Sequence, residues 1–198
     1  MPRVRLTSKT ILVAFIISLV WLALVVSAPF MVPAGTLTDL SGRVGTRENT
    51  EALSGLSPLP RAIYTFGDIE CHQIAERSYF LNGNQMPFCA RDFGLFLGLV
   101  AGFAFALFVR FRGSPLLLLL GLVPMGVDGG LQIVTDYEST NPLRLATGLL
   151  AGAVLSMLLA LYINAFEDIG KERRRGREGR VGESQIPTRT QDPRTRDA

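Results

Sequence analysis

Four long stretches of this 198-residue sequence are almost free of charged residues, which limits what the chain can fold into. Their charged residues are Arg110, Asp128 and Arg144. A helix of about 20 apolar residues crosses the hydrocarbon core of a membrane and satisfies its own backbone hydrogen bonds there. The pattern therefore predicts an all-α polytopic membrane protein with four transmembrane helices, over residues 10–28, 93–110, 115–135 and 143–166.

The overall composition agrees with a membrane protein and excludes several other classes. Apolar residues make up 48% of the chain and charged residues 19%, below the roughly 25% of ordinary soluble domains. Two cysteines are too few for a small secreted scaffold held by several disulfides. The sequence is therefore not that of a soluble globular domain, a disulfide-dense miniprotein or a disordered chain.

Basic residues predict how the helices are oriented, because they concentrate on the cytoplasmic side of membranes. They cluster in residues 1–9, in the connection at 110–112, and after the fourth stretch. We therefore expect a multi-pass protein of the cytoplasmic membrane, in contact with the lipid bilayer and with both termini cytoplasmic. Residues 29–92 form an extracytoplasmic loop, and residues 167–198 a disordered cytoplasmic tail.

The first apolar stretch also resembles a signal peptide, because it follows basic residues and ends in small ones. Cleavage after Ala28 would leave Pro29 as the first residue of the mature chain, and the stretch is long for a signal peptide. We interpret it as an uncleaved anchor, with cleavage as the alternative.

The extracytoplasmic loop contains patterns typical of a connector, a short helix and a hairpin. Residues 40–58 are rich in Ser, Gly, Thr and Pro and indicate an irregular connector. Pro60 can begin a helix, whose apolar stripe we place at Ile63, Phe66, Ile69 and Ile74.

The hairpin is predicted by Asn82-Gly83, since both residues tolerate the positive φ that a two-residue turn requires. A regular ladder would place Leu81 opposite Asn84, and Glu76 opposite Cys89.

This hairpin brings Cys71 and His72 close to Cys89 and Asp92, and three chemical states then compete. A Cys71–Cys89 disulfide would staple the loop, since the extracytoplasmic side permits disulfides. Alternatively, all four side chains hold one zinc or another divalent transition metal, for which thiolate, imidazole and carboxylate are suitable ligands. Free thiols are the third state.

A second polar group lies at the same membrane level, in the third and fourth stretches. Asp128 and Gln132 share a helix face at i, i+4, and Asp136 continues it outward. Arg144 is the expected partner of Asp128 or Asp136. An ionisable residue in a membrane helix marks a candidate site, although an ion pair that only fixes helix register is the alternative. We predict a polar pocket from Arg77, Arg91, Asp128, Gln132, Asn141, Arg144 and Thr147.

Small residues at four-residue spacing predict close helix packing, within the chain or between subunits of a homo-oligomer or larger membrane assembly. These residues are Gly94, Gly98, Gly102, Gly148 and Gly152.

These motifs follow one another in an order that resembles a known family. They are Cys71-His72-Gln73, Arg77-Ser78, Cys89-Ala90-Arg91, the three glycines from Gly94, Pro124 with Asp128-Gly129-Gly130 and Gln132, and then Asn141, Arg144 and Thr147-Gly148. The chain is similar, over about residues 59–152, to a family of small prokaryotic membrane proteins catalogued as a domain of unknown function. The resemblance implies the membrane fold and no reaction.

Asp92 departs from the pattern of that family, which commonly has a third cysteine at this position. A Cys-x-x-Cys redox pair is therefore missing, which argues against a thiol–disulfide exchange enzyme. A metal site remains compatible, since carboxylate can replace thiolate as a ligand.

Three functions follow from these observations. The first is a metal-dependent site, with or without enzymatic activity, at the outer end of the helix bundle. The second is a non-enzymatic binding or assembly module stapled by a disulfide, and the third is a carrier of ions or small solutes that uses Asp128. We expect no nucleotide, since no phosphate-binding loop with its lysine occurs, and no nucleic acid, since acidic residues dilute the basic tail.

Overall fold

The computed structural model describes residues 8–111 and 113–184. Residues 1–7 of the predicted cytoplasmic N-terminus and residues 185–198 of the predicted tail therefore lie outside the described residues. The described chain is mostly helical with one two-stranded sheet. Its helices are α1 (Lys9–Ser27), α2 (Thr50–Ser54), α3 (Pro58–Glu70), α4 (Ala90–Phe108), α5 (Pro115–Leu119), α6 (Val123–Val134) and α7 (Asn141–Ser184), and its strands are β1 (Ser78–Leu81) and β2 (Asn84–Cys89).

Within the described residues, three helical segments are long and apolar enough to cross a membrane. They are Lys9–Met31, Ala90–Phe108 and Asn141–Gly176. The third predicted span, 115–135, is not one long helix: α5 is followed by a 3-10 turn at Leu120–Leu122 and then by α6. Pro124 explains the break, because it has no N–H to donate to the carbonyl of Leu120.

The described chain divides into two compact units, one ending at Tyr162 and one beginning at Ile163. Over residues 167–184 the chain is helical rather than disordered as predicted, because α7 continues to Ser184 instead of ending near residue 166. Arg, Lys and Glu have high helix propensity, and Lys171 lies 3.9 Å from Asp168 on one helix face. Local propensity therefore extends the helix beyond its apolar part.

In the first unit, α4 and α7 pack backbone against backbone at their glycines. A Cβ atom at Gly98 would overlap the carbonyl oxygen of Leu149, and one at Gly152 would overlap that of Leu95. Gly94, Gly102 and Gly148 meet the facing helix in the same way. The predicted small-residue face is thus used within the chain.

The loop between α1 and α4 is more ordered than the sequence suggests. The connector predicted to be irregular contains α2, whose Leu53 is 3% exposed. Helix α3 begins at Pro58 and ends at Glu70, so Ile74 lies outside it. Its buried face includes Ile63 and Tyr64, whereas Phe66, placed on the predicted stripe, is half exposed.

The hairpin forms around Asn82-Gly83 with Leu81 opposite Asn84, as predicted. Its register then shifts, so that Ser78 rather than Glu76 pairs with Cys89. The shift lies in the part of β2 that contains Pro87. Proline cannot donate a ladder hydrogen bond, and bulges accommodate this.

An aromatic cluster joins the loop to α1 and α4, two of the helices that are long and apolar enough to cross a membrane. Trp21 of α1 makes edge contacts with Phe66, Phe88 and Phe96, at ring-centroid distances of 5.3, 5.9 and 6.0 Å. Phe88 and Phe96 are 5.0 Å apart. Edge-to-face pairs of this kind contribute roughly 0.5–1.5 kcal/mol each beyond the burial of apolar area.

The glycine contacts predict that alanine substitution has opposite effects on stability at two helical glycines. Gly98→Ala should lower the free energy of unfolding by about 1–3 kcal/mol, because the methyl group must push two backbones apart. The matched control is Gly126→Ala, a helical glycine whose Cβ would meet no atom within 4 Å. Alanine favours the helix there by about 1 kcal/mol. Thermal unfolding in detergent measures both, and equal midpoints would contradict the packing described above.

Candidate functional site

Gln73 forms the sharp bend that follows α3 and carries the loop toward the hairpin. Its φ is +46°, in the left-handed region that residues with a Cβ rarely adopt, and its side chain is fully buried. The side-chain amide donates to the carbonyl oxygen of Pro87 over 2.8 Å, and its oxygen accepts from Nδ2 of Asn49 over 3.1 Å. The hydrogen bonds to the rest of the loop thus hold the bend beside Cys71 in place.

Two further buried amides, Asn84 and Gln85, continue this network from the start of β2. Oδ1 of Asn84 accepts from the backbone amides of Thr36 and Leu37, at 2.9 and 3.0 Å. Oε1 of Gln85 accepts from the backbone amide of Leu40 at 2.9 Å, and Nε2 donates to the carbonyl oxygen of Gln73. The irregular segment before α2 therefore has its buried backbone groups satisfied by hairpin side chains.

Cys71 and Cys89 meet where α3 ends and α4 begins. The backbone amide of Cys89 donates to Sγ of Cys71 over 3.4 Å, and Sγ of Cys89 lies 3.2 Å from Oδ2 of Asp92. One ligand atom from each of these three residues lies within 4.8 Å of the others. Both cysteines are free thiols in the structure.

His72 does not belong to this compact group, although the sequence predicts it as the fourth ligand. It is exposed, while its neighbour Cys71 is 5% exposed. The extended backbone at Cys71 turns successive side chains to opposite sides, so adjacent residues do not face one point. The structure brings together three of the four predicted ligands.

The two thiols differ in acidity because they share a hydrogen bond. That bond, in which the Cys71 thiol donates to the Cys89 sulfur, raises the pKa of Cys71 far above its usual range, and burial adds to the rise. The same hydrogen bond lowers the pKa of Cys89. Cys89 is therefore the sulfur that ionises first, and a thiolate is the form that binds metals and reacts.

Asp128 pairs with Arg91, which corrects the expectation that Arg144 is its partner. Arg91 lies in the first turn of α4, two residues after Cys89. Its Nη1 atom lies 3.4 Å from the place that a Cβ atom on Gly129 would occupy, so the guanidinium fits against α6 where glycine leaves room. The Tyr137 hydroxyl lies 3.3 Å from Oδ1 of Asp128 and donates to it. The sequence could not show which of several arginines α6 would meet.

Arg144 is 3% exposed and makes three side-chain hydrogen bonds. It donates to Oδ1 of Asn141 at 3.1 Å, to Oε1 of Gln132 at 3.2 Å and to Oε1 of Glu138 at 2.7 Å. Arg77 donates to both carboxylate oxygens of Glu138, at 2.8 and 3.1 Å. Arg77 first and then Arg144 hold the pKa of Glu138 below its usual range.

The remaining residues of the predicted polar group make different contacts. Asn141 donates to the carbonyl oxygen of Glu76 at 3.1 Å and thereby ties α7 to the loop before β1. Thr147 bonds the carbonyl of Leu143 in its own helix at 3.0 Å, and Asp136 is exposed.

A pocket of about 70 Å³ joins the thiols to the arginines. It is lined by Cys71, His72, Cys89, Arg77, Arg91 and Arg144, together with Gln132 and the bend at 73–74. His72 therefore contributes to the pocket wall although it is not within ligand distance of the thiols. The pocket thus contains three of the four residues of the predicted cysteine group and four of the seven residues of the predicted polar pocket. Asp92, Asp128, Asn141 and Thr147 do not line it.

Sequence reasoning missed Gln73 and Glu138 as site residues. Gln73 stands in the Cys-His-Gln motif, which was the available signal, but a positive φ at glutamine is not visible in a sequence. Glu138 reads as an ordinary loop acid, since its two arginine partners are 61 and 6 residues away along the chain.

Comparison with known proteins places this site in a family. Residues 71–158 match the predicted membrane protein family DUF2085. An uncharacterized protein of Methanocaldococcus jannaschii is 35% identical over 116 residues, which cover 56% of this chain and 72% of that relative. The chain belongs to the DUF2085 family.

A second relative agrees with this assignment. An uncharacterized protein of Methanothermobacter thermautotrophicus is 36% identical over 91 residues, or 44% of this chain and 82% of that relative. No solved structure matches the chain. The DUF2085 match begins at Cys71 and includes both cysteines, Arg91 and Arg144. The resemblance noted from the sequence is thus confirmed at the level of the family, which is found in archaea.

Removal of the Gln73 amide should destabilise the loop. Gln73→Leu leaves the carbonyl of Pro87 and the amide of Asn49 without this partner, and each buried unsatisfied group costs about 1–3 kcal/mol. We expect a lower thermal-unfolding midpoint and faster alkylation of Cys71, which is normally buried. His72→Ala, at the exposed neighbour, is the control and should match the wild type in its unfolding midpoint. Unchanged stability and alkylation in Gln73→Leu would contradict the role of this amide.

Proposed function

We propose that this DUF2085 protein holds a divalent transition metal, zinc by ligand preference, at the outer end of its helix bundle. The ligands are Cys71, Cys89 and Asp92. The observation that carries the proposal is the approach of their three ligand atoms to within 4.8 Å of one another. Two thiolates and a carboxylate form a suitable zinc ligand set, and three protein ligands leave one of four tetrahedral positions open.

Electrostatics supports a cation at this point. The Cys89 thiol donates to Oδ2 of Asp92 over 3.2 Å, and loss of its proton leaves two negative charges at that distance, which repel each other. A metal ion between them removes the repulsion and also draws off the proton that Cys71 otherwise retains. The ligands sit where a helix, a strand bulge and a second helix meet, and so are held by regular structure on both sides.

Cys71 and Cys89 line a pocket that also contains arginines, and this favours a reactive site over a purely structural one. Structural zinc sites are normally closed by four protein ligands, whereas sites that act on substrates keep a water. A metal held by these residues would supply Lewis-acid chemistry that lowers the pKa of water. Arg91 and Arg144 on the same pocket wall are suited to orient a polar substrate or a lipid headgroup.

The contact between the sulfurs favours a second candidate, a loop stapled by a Cys71–Cys89 disulfide. The thiols already share a hydrogen bond, and a disulfide closing this short loop would contribute about 3 kcal/mol in the chain-entropy account. The protein would then be a binding or assembly module in the membrane. The two candidates exclude each other, because oxidation removes both thiolates.

Metal analysis of variants tests the first candidate. Cys89→Ser and Asp92→Asn should each lower the bound metal from about one ion per chain by tenfold or more, since ligand loss weakens binding strongly. Asp39→Asn, which changes an exposed carboxylate of the same loop, is the matched control and should retain the metal. Plasma emission spectrometry on protein purified without chelator or reductant gives the stoichiometry.

The outcomes of that experiment are distinct. Equal stoichiometry in the wild type and in Cys89→Ser would overturn the metal site. A metal-free wild type whose intact mass is about two hydrogens below that of the reduced chain would replace it with the disulfide-stapled module.

The membrane arrangement that accompanies this proposal has four spans, with α5, the 3-10 turn and α6 together as the third, and an uncleaved α1. Both termini are then cytoplasmic, and the cysteines lie outside. The basic residues of the 110–112 connection and of the chain after residue 170 support this orientation.

Alkaline phosphatase fusions test this topology, because the enzyme is active only outside the cytoplasm. Fusions after Ser57 and Tyr137 should be active, and those after Gly113 and Ala198 inactive. An inactive fusion after Tyr137 with an active one after Ser57 would show that the broken third segment does not cross the membrane.

A further inference from the structure

Glu138 is an exposed carboxylate held between two arginines from distant parts of the chain. Its side chain is 61% exposed, while those of Arg77 and Arg144 are 34% and 4% exposed. Nε and Nη2 of Arg77 donate to its two oxygens at 2.8 and 3.1 Å, and Nη2 of Arg144 donates to Oε1 at 2.7 Å. Two guanidinium groups thus converge on one oxyanion.

Arg144 is held in place independently of Glu138. Its guanidinium donates to Oδ1 of Asn141 and Oε1 of Gln132, on α7 and α6. Asn141 in turn donates to the carbonyl of Glu76 at 3.1 Å and so ties the backbone beside Arg77 to α7. The fold therefore preorganises Arg144 and places the backbone of Arg77 near it, whereas Glu138 is presented by an exposed loop over residues 135–138.

The carboxylate lies in a pocket of about 380 Å³, within the range of small-molecule sites. Ser139, Thr140 and Asn141 add polar groups to its wall, and Glu76 is the second acid there. With Glu138 in place, the two arginines and two acids give a formal charge of zero. If Glu138 swings out, the charge is +1, so the pocket attracts an anion only by exchange for this side chain.

We propose that Arg77 and Arg144 form a binding site for a phosphate group, free or as the headgroup of a lipid, and that Glu138 competes with this ligand for both arginines. Planar guanidinium groups that approach from two sides match the several oxygens of a phosphate. The carboxylate of Glu138 is itself exposed, so it gains solvent when it leaves, and an incoming phosphate replaces it as the partner of the buried Arg144. The site goes beyond the proposed metal centre and does not require the metal.

Phosphate binding to the detergent-solubilised protein tests the site. Isothermal titration with sodium phosphate, in a fixed chloride background and after treatment with a chelator, should show one site. Glu138→Gln should bind phosphate at least about twofold more tightly because the competitor is gone. Arg77→Gln should bind phosphate about tenfold more weakly than the wild type. The affinity of Arg77→Lys should lie between those of the wild type and Arg77→Gln, because lysine keeps the charge without the paired N–H donors of arginine.

Matched controls and a lipid arm separate the alternatives. Glu51→Gln and Arg43→Gln change exposed residues elsewhere in the loop and should bind phosphate as the wild type does. Native mass spectrometry with phosphatidic acid, against diacylglycerol as the lipid without phosphate, identifies a headgroup as the source. The site is supported if the wild type retains phosphatidic acid and Arg77→Gln does not. It is equally supported if the wild type binds free phosphate and Arg77→Gln binds it more weakly.

The site is overturned if neither phosphate nor phosphatidic acid binds to Glu138→Gln, or if Glu138→Gln and Glu51→Gln behave alike. Repeating the titration in Cys89→Ser, whose metal site is removed, should give unchanged phosphate binding. Phosphate binding by the untreated wild type that is lost after chelation and is also absent from untreated Cys89→Ser, with a retained unfolding midpoint, would show that the metal and not the arginine pair holds the phosphate. A failure of the metal proposal is thus distinguishable from a failure of this one.

Discussion

Three buried amide side chains, those of Gln73, Asn84 and Gln85, hold the loop between α1 and α4 in its fold. Much of this loop is irregular, and irregular backbone exposes donors and acceptors that cannot be buried without partners. The amides supply those partners from the bend after α3 and from the start of β2: all three are fully buried, and each bonds backbone groups far away in sequence. The bend at Gln73 and the position of Cys71 beside Cys89 follow from this network.

The glycine contacts between α4 and α7 set the second part of the site. Because these helices approach at backbone distance, the start of α4 lies directly against α7, where Gly148 meets the carbonyl of Arg91. Arg91 thus contacts α6 at Gly129. Arg144 contacts Glu138 in the loop that precedes α7. A wider helix spacing would move the arginines away from the thiols, so the pocket depends on small residues that carry no chemistry themselves.

Local patterns predicted much of this arrangement. The apolar stretches gave the long helices, Asn82-Gly83 gave the turn, and the turn brought the two cysteines together, since all three depend on residues close in sequence. The sequence did not predict the register shift at Pro87, the exclusion of His72 from the ligand group or the pairing of Asp128 with Arg91. Each of these depends on packing between segments whose relative position no periodicity specifies. The helical continuation of α7 depends instead on local propensity. The segment after residue 166 lacks apolar periodicity, which predicts disorder, but its Arg, Lys and Glu residues favour helix.

The pocket combines the thiols of Cys71 and Cys89 with the guanidinium groups of three arginines. This is a suitable arrangement for a metal centre that meets polar molecules from the outer face or the lipid surface. X-ray absorption at the zinc edge, on protein purified from membranes, tests the central claim directly. We predict two sulfur ligands at about 2.3 Å and the remaining ligands oxygen or nitrogen at about 2.0–2.2 Å, with one sulfur lost in Cys71→Ser. A spectrum without sulfur ligands would contradict the site.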